Sequence, residues 1–108
     1  MIVIPAMDIR CGKFVHLMSL PAWEELIGND DPVDVANWWK GQGAGMIHIT
    51  DLDGSFRGQP ENLDVIKEII TNVGLPLQVA GGIRSLKNIE DVLNLGVSRV
   101  VLGTIAAR

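Results

Sequence analysis

The sequence predicts an α/β fold built on a parallel sheet, and three observations carry that reading. Four short apolar runs, "IVIPAMDI", "GMIHITDLDG", "LPLQVAGGI" and "SRVVLGTIA", are rich in β-branched and aliphatic residues. Segments of helical period lie between them. Each run closes on Asp or Gly, so polar and turn-forming residues gather at one end of every strand. Regular alternation of strand and helix gives parallel strands joined by right-handed crossovers.

The first run reads as a strand ending at Asp8, with Pro5 inside it. Its weak alternation, shared by the other runs, predicts strands buried on both faces. Residues 10–30 form the longest connection, a loop or short hairpin long enough to lie over the strand ends as a lid. The first helix opens in "DDPVDVANWWKGQG", where Asp31 is an N-cap, Pro32 takes the first helical position and Gly43 lies past the end. Val35 with Trp38 and Ala36 with Trp39 share its inward face. The second strand ends in Asp51 and Asp53. In "ENLDVIKEIITNVG", Leu63, Ile66, Ile70 and Val73 form one stripe that stops at Gly74. The third strand, with Pro76 at its start, ends in Gly81-Gly82. Ser85 then caps a helix with Leu86, Ile89 and Leu93 on one face, which ends at Gly96. The fourth strand closes on Gly103-Thr104.

Composition bounds the function. At 108 residues and 47% hydrophobic content, the chain is one domain with a real core. A formal charge of −4 with scattered cations argues against nucleic acid as a partner. The lone Cys11 excludes an internal disulfide and a cysteine-rich metal site. No apolar stretch approaches the roughly 20 residues that span a membrane, and "MIVIPAM" is too short for a signal peptide. The expectation is a soluble cytoplasmic protein.

The carboxyl edge of a parallel sheet is where ligands bind in α/β folds. At that edge, Asp8 is either a structural carboxylate held by backbone amides and by Arg10 or Lys13, or a general base tuned by burial. "HITDLDGSFRG" carries His48, Asp51, Asp53 and Arg57. Asp before Gly is ordinary turn chemistry. His48 and Asp51 point to opposite faces of a strand, which argues against a shared metal. "AGGIRS" and "GTIAA" place Gly81, Gly82, Gly103 and Thr104 on neighbouring strand ends. Such paired loops suit a phosphate; the alternative is glycines that merely permit tight turns. Cys11, Trp38 and Trp39 read as structural, while Trp23 lies in the long loop, where it is structural or covers a ligand.

Taken together, "IPAMDIRCGKFVHL", "DDPVDVANWW", "HITDLDGSFRGQPENLDVI", "VAGGIRSL" and "VLGTIAA" resemble the amino-terminal half of a histidine-biosynthesis isomerase. The family is phosphoribosylformimino-5-aminoimidazole carboxamide ribotide isomerase, a (βα)8 barrel, and the resemblance covers essentially the whole chain. The related cyclase typically has Cys before the first-strand Asp and lacks the Asp-Leu-Asp-Gly turn, so "PAMD" and "DLDG" favour the isomerase. The resemblance implies a parallel (βα)4 half of a TIM barrel over 1–108, ending before its fourth helix is complete. It implies an Amadori aminoaldose-to-aminoketose rearrangement without a cofactor or a metal. Asp8 would move the proton, with His48, Asp51 and Arg84 near the substrate. Gly81, Gly82, Gly103 and Thr104 would hold one of its two phosphates. His16 stands where the family usually has Arg, "MSLPAWEEL" replaces a Gln-Gly loop, and Ala80 replaces a Gly. The family's second catalytic Asp and second phosphate loop lie in the other half. The partners implied are therefore the phosphorylated ribotide and either a second copy of the chain or a complementary half-barrel. The alternatives are a catalytically incomplete half-barrel that binds phosphorylated ligands or a partner, and a fragment of a longer protein.

Overall fold

In the computed structural model, residues 4–15 and 30–102 are described. The elements are β1 (Ala6–Arg10), β2 (Lys13–Val15), α1 (Pro32–Gly41), β3 (Ile47–Asp51), α2 (Leu52–Arg57), α3 (Leu63–Val73), β4 (Leu77–Ala80), α4 (Leu86–Leu93) and β5 (Arg99–Val101). They build a five-stranded sheet in the order β2-β1-β3-β4-β5. Strands β1, β3, β4 and β5 run parallel, each beside its predecessor, and β2 folds back antiparallel on β1. The sequence of β1 does not stop at Asp8. It continues to Arg10 and turns through Cys11 and Gly12, both at positive φ (50° and 76°), the mirror-image two-residue hairpin that matches strand twist.

The helices start and stop for local reasons. The Asp31 carboxylate accepts from the amides of Val33 and Asp34, with Pro32 at the first helical position of α1. Ser85 Oγ accepts from the amide of Asn88 and opens α4. Gly74 closes α3 in the left-handed conformation, at φ 74°. An N-cap such as Asp31 or Ser85 is worth about 1 kcal/mol. The segment after β3, expected as a turn, is a six-residue helix, α2. Asp51 is its N-cap, and Gly58 ends it at φ 80°.

One face of the sheet is sealed. Met7, Ile9, Ile47, Ile49, Leu77 and Val79 are buried and pack with Val35, Ala36, Ile66, Ile69, Val73 and Val92 from the helices. Trp38 and Trp39 border this core, their rings 4.9 Å apart and edge to face. Two details differ from the pattern reading. Ile69 is buried in α3 beside the expected stripe. In α4, Val92 carries the contact, while Leu86 is 79% exposed and Leu93 45% exposed.

The other face is where the expectation of strands buried on both sides fails. Burial alternates along β1, β3 and β4, and the alternate residues remain at least partly accessible. A sheet with its helices on one face and its strands in sequential order is compatible with part of a (βα)8 barrel wall. A doubly wound fold would cover both faces. Among the described residues, no helix is long and apolar enough to cross a membrane.

Candidate functional site

Strand register sets which side chains share the open face. Ala6 pairs with His48, and Asp8 with Thr50. His48 in turn pairs with Gln78, and Thr50 with Ala80. Gln78 then pairs with Arg99, and Ala80 with Val101. Because side chains alternate along a strand, two rows cross the open face: Ala6-His48-Gln78-Arg99 and Asp8-Thr50-Ala80-Val101. On the hairpin side, Val15 stands opposite Asp8 and Lys13 opposite Arg10.

The two aspartates that end the first strands lead different lives. Asp51 belongs to the sealed face and is 1% exposed. Its Oδ1 accepts from the Gly54 amide at 2.8 Å and from Asn62 Nδ2 at 2.7 Å. Its Oδ2 accepts from the Glu61 and Asn62 amides at 2.7 and 2.8 Å. Four donors account for this carboxylate, and it ties the end of β3 to the start of α3. Asp8 is half-buried on the open face. Among the described residues, no side chain or amide donates to its carboxylate, and the ion pair with Arg10 or Lys13 that would make it structural does not form.

His48 sits beside Asp8's row, on the same face. Its Nδ1 is 2.8 Å from Gln78 Nε2, and its Nε2 is 3.3 Å from Thr50 Oγ1. Arg84 is exposed at the carboxyl edge, where its guanidinium lies against Gly58. A Cβ added there would be 2.9 Å from the nearest guanidinium nitrogen.

Gly81 and Gly82 have positive φ, 103° and 77°. Their bare sides face the chain's own backbone. A Cβ on Gly81 would run into the carbonyl of Asp51, and one on Gly82 into the carbonyl of Gly54. Gly54 answers in kind: a Cβ there would be 2.8 Å from the Gly81 carbonyl oxygen. The glycine pair therefore lets the end of β4 lie directly on α2. Gly103, Thr104, His16 and Trp23 fall outside the described residues.

Sequence reasoning missed Asn62, the hub of this edge. It occupies the N-cap position of α3 but makes no capping bond with its side chain. Its Oδ1 instead accepts from the Gly12 amide at 2.9 Å, and its Nδ2 donates to both Asp51 and Asp53. Asp53 accepts in addition from the Cys11 amide at 2.6 Å. The β1–β2 hairpin is thus clamped to α2 and α3 across about 50 residues of chain. A cleft of about 400 Å³ beside this clamp is lined by Cys11, Gly12, Asp53, Arg57 and Asn62 among others, and neither Asp8 nor His48 reaches it.

The Asn62 amide holds the Asp53 carboxyl below its ordinary value of 3.8, with the Cys11 amide and the Arg10 charge acting the same way. A carboxyl depressed on folding adds stability above its unfolded value and loses it as pH falls through the folded one. Denaturant midpoints should therefore drop as pH is lowered below about 4. Asp53→Asn should remove part of that acid slope, and an unchanged slope in Asp53→Asn would contradict the clamp.

Comparison with known proteins adds the following. Residues 2–108 match a family described as histidine biosynthesis protein. A protein of Pelotomaculum thermopropionicum is 51% identical over 106 residues, which is 98% of this chain and 41% of that protein. One of Desulfatibacillum aliphaticivorans is 50% identical over 108 residues, 100% of this chain and 43% of that protein. Both are named 1-(5-phosphoribosyl)-5-((5-phosphoribosylamino)methylideneamino) imidazole-4-carboxamide isomerase. The chain thus spans less than half the length of these relatives. Among solved structures, the Amycolatopsis orientalis BexX/CysO complex is similar, with a TM-score of 0.55 at 26% identity. The match covers 65% of this chain and 29% of that one.

Proposed function

The chain belongs to the histidine biosynthesis protein family, and we propose that it forms the first four βα units of a cytoplasmic (βα)8 aldose–ketose isomerase. Its substrate is a ribotide carrying two phosphates, opened to the aminoaldose and converted to the aminoketose. The observation that carries this reading is the contrast between the two aspartates. Asp51 is fully occupied by four donors. Asp8, half-buried on the open face, has no partner among the described residues and is available to a substrate.

The chemistry asked of Asp8 is modest. In the ring-opened aminoaldose, C1 is an imine carbon, and the neighbouring C2–H is acidified by it. The Asp8 carboxylate takes that proton, the C2 electron pair forms the C1=C2 bond, and the displaced pair goes to the imine nitrogen, which takes up a proton from solvent to give the enaminol. Loss of the 2-hydroxyl proton with return of a proton to C1 gives the ketone. A positioned general base contributes about 10²–10⁴-fold to such a step. His48, on the same face, contacts the sugar, and Arg84 supplies a cation at the edge. Asp51 acts at one remove, by fixing the backbone around them.

One phosphate lies at the β4–α4 and β5 loops, near Gly81, Gly82, Gly103 and Thr104. Since the bare sides of the first two face backbone, amide groups of these loops would bind the anion. The Arg84 and Asn88 amides are already used within α4's first turn.

Completion of the barrel requires more sheet. Among the described residues, β5 pairs only with β4, and Leu86, Leu93, Val101 and Leu102 are exposed at 79, 45, 37 and 51%. Such an edge invites association. We assign its cover to the other half of the barrel, contributed by further chain of the same protein, by another copy, or by a complementary half. Asp8→Asn tests the catalytic assignment: isomerase turnover should fall by about 10²–10⁴-fold with the fold intact. Turnover undiminished in Asp8→Asn would remove Asp8 from the mechanism.

A further inference from the structure

His48 is held from both sides within the open face. The group facing Nδ1 is the Gln78 amide nitrogen, at 2.8 Å. An amide nitrogen offers only donors, so Nδ1 accepts and the ring proton sits on Nε2. Nε2–H then donates to Thr50 Oγ1, 3.3 Å away. With its oxygen used as acceptor, the Thr50 hydroxyl keeps its own proton to give. Thr50 is in register with Asp8 on the neighbouring strand. Donor direction therefore runs one way, from Gln78 on β4 through His48 to Thr50 on β3.

We propose that Gln78 is a positioning residue that fixes His48 as the Nε2–H tautomer, with Thr50 as the acceptor of that proton. An uncharged amide does this where a carboxylate would not: Glu at this position would accept from Nδ1–H and turn the ring's polarity around. The charged groups sharing the face are Asp8 and Arg10 on β1, Lys13 on β2 and Arg99 on β5, the last in register with Gln78. The proposal's catalytic meaning rests on the isomerase reading, but the tautomer is a property of the free chain.

Long-range 1H–15N spectra of the imidazole nitrogens read the tautomer directly, without substrate. The chain has two histidines, and His16→Asn leaves the signals of His48 alone. The expected result is an unprotonated Nδ1 and a protonated Nε2. Gln78→Glu, of the same size, should move the proton to Nδ1, and Gln78→Leu should give averaged signals of both tautomers. A proton on Nδ1 in the unchanged chain, or an Nε2–H pattern that survives in Gln78→Glu, would overturn the proposal. The expected spectrum in a chain without isomerase activity would uphold the tautomer and count against the isomerase reading. An active chain with the opposite tautomer would do the reverse.

Discussion

Asp51→Ala should unfold the chain or leave it barely folded. Substitution deletes the acceptor for three backbone amides, those of Gly54, Glu61 and Asn62, and for the Asn62 side chain. The site is 1% exposed, so water does not readily replace the lost oxygens. Each buried donor left unpaired costs about 1–3 kcal/mol, so four of them cost about 4–12 kcal/mol before any relaxation. A domain of this size has about 5–15 kcal/mol in all. The loss should also reach the β1–β2 hairpin, because Asn62 bonds both Asp51 and the Gly12 amide. Chemical denaturation with hydrogen exchange at Gly12 and Asn62 checks this. A midpoint within about 0.5 kcal/mol of the unchanged chain, the range of ordinary surface substitutions, would show that the carboxylate is dispensable.

Gly82→Ala should be the second large effect. Alanine at φ 77° costs about 1–2 kcal/mol from its own backbone. Its Cβ would in addition collide with the Gly54 carbonyl and with the carbon of the Gln59 carbonyl, both backbone groups that cannot swing aside. The β4 end must then lift off α2, and the total exceeds the intrinsic penalty. Thermal melting of Gly82→Ala beside Gly43→Ala separates the two contributions. Gly43 also has positive φ, 95°, but open space around its Cβ position. Equal losses in the two variants would mean that backbone contact with α2 contributes nothing at Gly82.

These two positions also show what was legible in the sequence. The helix starts at Asp31 and Ser85 and the stop at Gly74 were readable because capping is settled within four residues of chain. The parallel strands were readable from their apolar runs. The glycine pair was readable as a special place, yet its bare sides face α2, a helix that the Asp-Leu-Asp-Gly stretch concealed behind turn chemistry. Asn62 gave no sign, since its partners Gly12, Asp51 and Asp53 lie 9 to 50 residues away. The open face was hidden for a related reason. Ala6 and Ala80 look apolar in the sequence, so the alternation that exposes Asp8, His48 and Gln78 was too faint to see. In α4, period put Leu86 and Leu93 on one face with Ile89, yet among the described residues Ile89 packs against the core while Leu86 and Leu93 stay exposed.

The central claim is that the open face, with Asp8 on it, is the working face of an isomerase that needs a second half-barrel. The most direct test is aminoaldose-to-aminoketose turnover per chain, followed over a wide range of protein concentration, with Asp8→Asn alongside. The account predicts turnover per chain that rises with concentration as copies pair, or that appears when a complementary half is added, and that collapses in Asp8→Asn under either condition. A chain that shows no turnover at any concentration, alone or mixed with the carboxyl-terminal half of a full-length relative, or an Asp8→Asn chain as active as its parent, would contradict it.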